Sequence, residues 1–347
     1  MLTRLAVLFL IVAAATTDPW APAAVSTRAS FRGLSTPSGS VIWASGTRGT
    51  VIRSVDGGAT WDVHQVEGAQ RLDFRGIHAF DANHAVIFSS GNAEQGGTSI
   101  YRTSDGGASW QLAFQSKLHG MFFDAIAFWD RRHGIVLSDS IDGHLPLFAT
   151  DDGGATWKQI PPNGVPPALP GEGAFAASNS SFAVYGSKDI WLATTKGRVF
   201  HSSNRGRKWT VTQTPVHPPT DSSGLFSIAF RDAKHGIAVG GDYSHPDKSP
   251  APNVIVTDDG GKSWRTGTKT DTPGLFLSAV VFIPEARGSH SGEPTILAAG
   301  PLGEVMSAAG GPWVRESNKN FNALAAPTAG SAWAAGPRGF IARRSIP

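Results

Sequence analysis

Apolar and polar residues alternate along the chain in short runs, and the runs end in polar, glycine-rich stretches. Val51-Ile52-Arg53, Ile100-Tyr101-Arg102 and Val254-Ile255-Val256 are β-branched or alternating, the pattern of half-buried strands. Each leads into one recurring octet. Ser54-Val55-Asp56-Gly57-Gly58-Ala59-Thr60-Trp61 returns as Thr103 to Trp110, Thr150 to Trp157, Ser202 to Trp209 and Thr257 to Trp264. The shared pattern is a hydroxyl, any residue, Asp or Asn, any residue, Gly, two more residues and Trp. The closing tryptophans are 49, 47, 52 and 55 residues apart. A worn copy ends 49 residues later at Trp313, with Met306 and Ala308 in the places of the hydroxyl and the acid.

A short carboxylate or amide accepts hydrogen bonds from N–H groups just ahead of it and closes a tight turn, and the Gly two residues on takes the positive φ such a turn needs. Each octet is therefore expected to join two antiparallel strands, with a structural rather than catalytic acid. Its tryptophan starts the next strand and is expected to pack between neighbouring repeats, because one four-stranded unit cannot bury its own faces. A second landmark is Phe80-Asp81-Ala82-Asn83-His84, repeated at Trp129 to His133 and Arg231 to His235. It reads as the turn from first to second strand, with its His bonding to the backbone. Histidines at one position of different repeats are held far apart, so they predict no metal site.

The octet is identified as an Asp-box repeat. With the preceding Gly46-Thr47-Arg48-Gly49-Thr50-Val51-Ile52-Arg53 it closely resembles the photosystem II stability/assembly factor-like proteins, in their secreted bacterial branch of unestablished activity. The resemblance covers essentially the whole mature chain. It implies an all-β fold, a seven-bladed β-propeller of four-stranded antiparallel blades, and, in photosynthetic organisms, assembly of a membrane complex. The landmarks then place blade 1 from Phe31 to Val66, blade 2 from Phe74 to Phe114 and blade 3 from Phe122 to Ile160. Blade 4 runs from Gly173 to Thr214, blade 5 from Gly224 to Thr268 and blade 6 from Gly274 to Glu316. Phe321 to Ile346 leaves room for only three strands, and Trp20 stands where an octet tryptophan would stand, so residues 18–26 are expected to supply the missing strand and close the ring.

Composition agrees with many short strands and tight turns: 41 Gly, 23 Pro and 16% charged residues in 347. A formal charge of +3, with no dense Lys/Arg run, excludes a typical nucleic-acid binder. Residues 1–15 read as a secretory signal, with Arg4, the apolar Leu5 to Val12 and the small Ala13-Ala14-Ala15, leaving 16–347 as one exported domain. The apolar run is shorter than the ~20 residues a membrane span needs, which disfavours an uncleaved anchor. With no Cys there is no disulfide and no thiolate chemistry.

The loops between second and third strands, and between blades, share one face, opposite the octets; function is expected there. Long loops of blades 2, 3 and 5, with the Pro161–Glu172 connection between blades 3 and 4, gather Asp139, Asp142, His144, Glu172, Asp242, Tyr243 and His245 on one side. On the inner strands Arg32, Arg75, Asp124 and Asn322 share one register, and an Arg75–Asp124 ion pair between blades is expected. The resemblance associates an arginine-rich patch with partner binding. Arg48 lies in the matched phrase; Arg32, Arg75, Arg198 and Arg338 are candidates by blade position, with Asp124 beside them. The favoured function is a binding or assembly scaffold for a protein or polysaccharide partner, acting as a monomer and without cofactor. The alternative is a glycoside hydrolase, for which Asp139, Asp142, Glu172 and Asp242 would supply the carboxylates and Tyr243 a nucleophile. An oxidoreductase is the weakest class, for no dinucleotide-binding glycine motif is present, and no compact Asp-x-Asp-x-Asp run supports Ca²⁺.

Overall fold

The five full octets close on themselves in the same way. In the first, the Ser54 hydroxyl donates to Asp56 Oδ1 (2.8 Å) and accepts from the Gly58 N–H (2.8 Å), while the Asp56 carboxylate accepts from the Thr60 N–H (2.9 Å) and hydroxyl (2.6 Å). The same bonds recur at Asp105, Asp152 and Asp259, and Asn204 substitutes its amide oxygen. The hydroxyls of Thr60 and Ser109, followed by their backbone N–H groups, hold Asp56 and Asp105 down at about 2. These acids are committed to holding their turns.

In the computed structural model, which describes residues 18–267, 274–285, 292, 294–308 and 310–346, these turns join strands into seven four-stranded antiparallel sheets. The segment read as a signal peptide lies outside the described residues. The inner strands are Phe31–Ser35, Phe74–Ala79, Phe123–Phe128, Phe182–Tyr185, Ser223–Phe230, Ala279–Phe282 and Ala323–Thr328. Each touches the next, and the seventh touches the first, which makes a seven-bladed propeller. Among the described residues no helix is long and apolar enough to cross a membrane.

The buried apolar side chains fall into seven clusters, one at each junction between blades. The octet tryptophans build these junctions: Trp61 meets Trp333 of blade 7 edge-on at 5.9 Å, and Trp110 meets Trp43 of blade 1 at 6.3 Å. The octet glycine marks the closest approach. At φ +88° a Cβ on Gly58 would stand 2.3 Å from the Trp333 ring, and one on Gly206 2.6 Å from Ile135, both on the preceding blade.

Two details differ from expectation. The worn octet keeps its hydroxyl: Ser307, not Met306, ends its strand opposite Ile296, as Ser54 does opposite Ile42, and the turn before Trp313 is one residue shorter. The second-landmark histidines bond to the acid of their own turn, not to backbone, with His84, His133 and His235 Nδ1 within 3.0, 2.8 and 2.7 Å of Asp81, Asp130 and Asp232.

Trp20–Pro22 pairs with Ile341–Ser345 and completes blade 7. The Trp20 indole is buried against Phe321 (5.2 Å) and donates to Glu304 Oε2 of blade 6 (3.2 Å). Glu304 is also held at both oxygens by Arg344 Nη1 (2.9 Å), which comes from the strand paired with Trp20. Burial nevertheless pushes Glu304 up to about 7. Asp18 accepts from the Trp20 N–H (3.0 Å) and the Ser317 hydroxyl (3.0 Å), so the closing strand is anchored before it begins. Trp20→Ala is expected to lower stability by about 3–5 kcal/mol, the cost of emptying a buried aromatic site, whereas exposed Val55→Thr stays within about 0.5 kcal/mol; denaturant unfolding followed by circular dichroism measures both.

Candidate functional site

Four inner strands begin with a β-bulge. The ladder with the second strand skips Arg32, Arg75, Asp124 and Phe226, each flanked by paired neighbours. A bulge leaves its residue out of the pairing and re-aims the side chain. The residue that follows is always small, Gly33, Gly76, Ala125 or Ser227. A Cβ on Gly33 would stand 2.9 Å from the Gly76 backbone, so neighbouring inner strands converge there. The bulges lie at the loop-face end and turn three of the four side chains, Arg32, Arg75 and Phe226, into a cavity of about 590 Å³ at the channel mouth.

The cavity has a floor. Blade 4 does not begin its inner strand at Gly173; the strand starts at Phe182, and the residues before it cross the channel. Asn179, at φ +60°, accepts from the Ile126 N–H of blade 3 (2.9 Å) and donates to the Ile77 carbonyl of blade 2 (3.4 Å). The Ser178 hydroxyl donates to the Ser278 carbonyl of blade 6 (2.7 Å), and Ser180 and Ser227 of blade 5 pair their hydroxyls at 2.7 Å. Four blades are thus tied to one plug, and the mouth becomes a cup.

The walls of the cup differ. On one side Phe175 stacks on Phe226 at 3.5 Å, with Tyr243 edge-on to both (6.1 and 6.3 Å) and Phe276 at 4.5 Å from Phe226. On the other, Arg75 Nε donates to Asp73 Oδ2 (2.8 Å) and its guanidinium lies over Phe122 (5.6 Å). Arg32 makes no ion pair among the described residues, although the charge of Asp73, which Arg75 already holds, reaches it, and its buried Nε makes no hydrogen bond. Burial first, then the charge of Arg75, lowers its pKa.

Asp124 is fully buried, and neither of its oxygens makes a well-formed hydrogen bond; the Ala174 N–H and the Asp139 carboxyl are its nearest hydrogen-bonding neighbours. Burial, then the charge of Asp139, holds its carboxyl well above the usual range. Asp139 lines the cup, and burial pushes it up to about 6. The segment leading to the plug passes so close that a Cβ on Gly173 would stand 1.8 Å from Asp139 Oδ1. The expected Arg75–Asp124 ion pair is not made: Arg75 bonds instead to Asp73, two residues before it, and Asp124 turns to Asp139.

The cup thus gathers Arg32, Arg75, Asp139, Tyr243 and Asn322, with Asp124 behind them. Other expected residues lie elsewhere. Asp142 is exposed at φ +51° in the tight turn that His144 closes. Glu172 is buried and fully engaged, accepting from Arg198, from the Thr194 hydroxyl (2.7 Å) and from the Leu169 N–H (2.9 Å); this also removes Arg198 from the free cations. Asp242 folds its own loop, accepting from the Ser244 N–H (2.9 Å) and facing His245 (3.2 Å). Arg48 and Arg338 are exposed at φ +62° and +58° on the short turns of adjoining blades. Phe175, Phe226 and Phe276 were missed by sequence reasoning, although the bulge pattern of apolar, any, small was present at Leu225-Phe226-Ser227. A crevice of about 450 Å³ between the outer parts of blades 5 and 6 has no unpartnered buried polar atom among its lining residues. No group of three His, Cys, Asp or Glu is placed to hold a metal among the described residues.

No family model matches the chain, and no curated protein matches it. Among solved structures it is similar to YCF48 bound to D1 peptide, at 17% identity over 95% of this chain and 96% of that chain, with a TM-score of 0.63. It is similar to YCF48 from Cyanidioschyzon merolae at 16% identity over 94% and 98%, TM-score 0.65. An ancestral GH74 enzyme is similar at 13% identity over 93% of this chain but 46% of that chain, TM-score 0.61. At these identities the likeness shows the propeller fold alone.

Replacing Asn179 tests the floor. Asn179→Ala loses both bonds, leaves the Ile126 N–H unsatisfied and is expected to cost about 2–4 kcal/mol. Faster hydrogen exchange at the Ile126 amide, beyond that of residues in the outer strands, is the accompanying signature.

Proposed function

We propose that the protein is exported after removal of residues 1–15 and works as a monomeric binding propeller. Its cup receives a segment of a protein partner that carries a carboxylate beside an aromatic or apolar side chain. The observation that carries this is Arg32: a guanidinium in a cavity wall with a buried, unpartnered Nε and no acid of its own among the described residues. A partly desolvated cation whose nearby acid, Asp73, is already bonded to Arg75 favours an anionic ligand, and the planar guanidinium fork suits a carboxylate. The aromatic wall opposite supplies the apolar contact area that ligand cavities use. Arg48 and Arg338, exposed on the short turns of adjoining blades 1 and 7, are available to the partner chain outside the cup. That YCF48, a protein of this fold, has been solved with a D1 peptide supports a peptide as ligand.

A glycosidase has less support. Its two carboxyls stand roughly 5–9.5 Å apart across the substrate, whereas Asp124 is fully buried and does not line the cup, and Glu172 and Asp242 are engaged in the fold.

On an array of peptides, retention is expected for sequences with a carboxylate next to an aromatic residue and to fall at least tenfold in Arg32→Ala, with little change in melting temperature. Arg198→Ala behaves oppositely: it leaves Glu172 buried and unpaired and costs about 3–5 kcal/mol. Equal loss of binding in a panel of unrelated surface arginine variants would overturn the assignment of Arg32. For the export proposal, sequencing the N-terminus of the protein recovered outside the cytoplasm is expected to begin at Thr16; a start at Ala24 would remove Trp20 and its bonds.

A further inference from the structure

We infer that the Asp124–Asp139 carboxyl pair makes capture in the cup proton-coupled: the pair takes up a proton as a carboxylate ligand arrives, so binding tightens as the medium becomes acidic. This inference rests on the binding function proposed above.

The geometry leaves the pair little choice. Asp124 is buried completely with neither oxygen in a well-formed hydrogen bond, an arrangement that favours the neutral acid. Asp139 stands between it and the cavity, pinned by the passing backbone at Gly173. Two neighbouring carboxyls in such a place resist carrying two charges, and they titrate as a unit. With Asp124 neutral, Asp139 holds the charge of the pair at neutral pH and loses it near pH 6.

The surrounding charges are otherwise committed. On the inner strand of blade 2, Arg75 is bound to Asp73 (2.8 Å); on that of blade 1, Arg32 faces the cup. Beside the segment that passes Asp139, Glu172 is bound to Arg198, and Lys196 to Asp221 (2.9 Å). On the rim shared with Asp139, His119 meets Glu94 at 3.3 Å. Asp142, on the same loop as Asp139, is exposed at its tip. An incoming carboxylate bound to Arg32 brings a second negative charge into the cavity that Asp139 lines, and the two repel, only partly offset by Arg75. The sign follows: the ligand raises the affinity of the pair for a proton, and the proton raises the affinity of the cup for the ligand.

The test is calorimetric titration of the full mature chain with N-acetyl-Ala-Phe and with its C-terminal amide. The free carboxyl of the first titrates at about 3.5 and stays ionised throughout the range used. Between pH 7.5 and pH 5 the affinity for the acid is expected to rise about tenfold, the value of a one-unit change in the pKa of one group on binding. At pH 6.5, two buffers of different ionisation enthalpy should report proton uptake, and the amide should show neither effect. Asp139→Asn is expected to give a flat profile with wild-type melting behaviour, while His119→Gln keeps the slope. Capture of the acid with no slope and no proton uptake overturns this inference alone, as does a slope that survives in Asp139→Asn. No capture of the acid at any pH, with Arg32→Ala the same as wild type, overturns the binding function and this inference with it.

Discussion

Blades come closest where an octet glycine meets a buried side chain of the preceding blade. Each sheet is apolar on both faces, so no blade buries its own core, and every cluster of buried side chains belongs to two blades at once. At each octet turn the chain must come close enough to the preceding blade for the two to seal. At Gly58 against Trp333, Gly154 against Val86 and Gly206 against Ile135 a single methyl group would force the neighbour to move, while Gly107 and Gly261 stand slightly farther off. The acid beside the glycine plays a subordinate part, keeping the turn in the one conformation that presents the Cα to the neighbour. Everything at the channel mouth inherits this spacing, because the bulged residues of blades 1, 2, 3 and 5 meet only if their strands converge at a fixed angle.

This explains why the architecture was legible and the site less so. The octet is local: its bonds run between residues two to four apart, so hydroxyl, acid, glycine and tryptophan appear in the sequence at the spacing the turn requires. Trp20 could be read as the missing outer strand because it obeys the same ruler. Where the ruler slipped by one residue, at Ser307, alignment on Trp313 put Met306 in its place, and only the strand ladder restores the hydroxyl. The register shared by Arg32, Arg75, Asp124 and Asn322 was visible as well. The choice of partners was not: Arg75 could meet Asp124 from the next blade or Asp73 two residues away, and periodicity does not rank a near acid against a far one. The plug was the least legible part, since Ser178, Asn179 and Ser180 are ordinary loop residues until the far blades they touch are known.

Four of the ten unpartnered buried polar atoms among the described residues lie at or just behind the cup. Arg32 Nε, Asp73 Oδ1 and both Asp124 oxygens lie on three successive bulged strands or just before them. A buried donor or acceptor without a partner costs about 1–3 kcal/mol, so a fold with no use for these groups gains by replacing them with apolar side chains. Blade 5 shows that replacement is feasible: its bulge carries Phe226, which stacks on Phe175 without any such cost. The propeller thus offers the same backbone device with a cation, an acid or an aromatic ring, and the cup is assembled from the mixture.

Blade 7 imposes an order on folding. Its outer strand, Trp20–Pro22, is made first, and its partner, Ile341–Ser345, among the last. A ribosome-bound chain can stack blades 1 to 6 as they emerge, but the ring stays open, with exposed strand edges at both ends, until the two termini meet. Such an edge templates pairing with other chains. Contacts between strands at opposite ends of the chain also carry a long loop-closure search. A chain built this way is safest when its whole length is available before the ring is sealed, so that the open edges meet each other before they meet another chain.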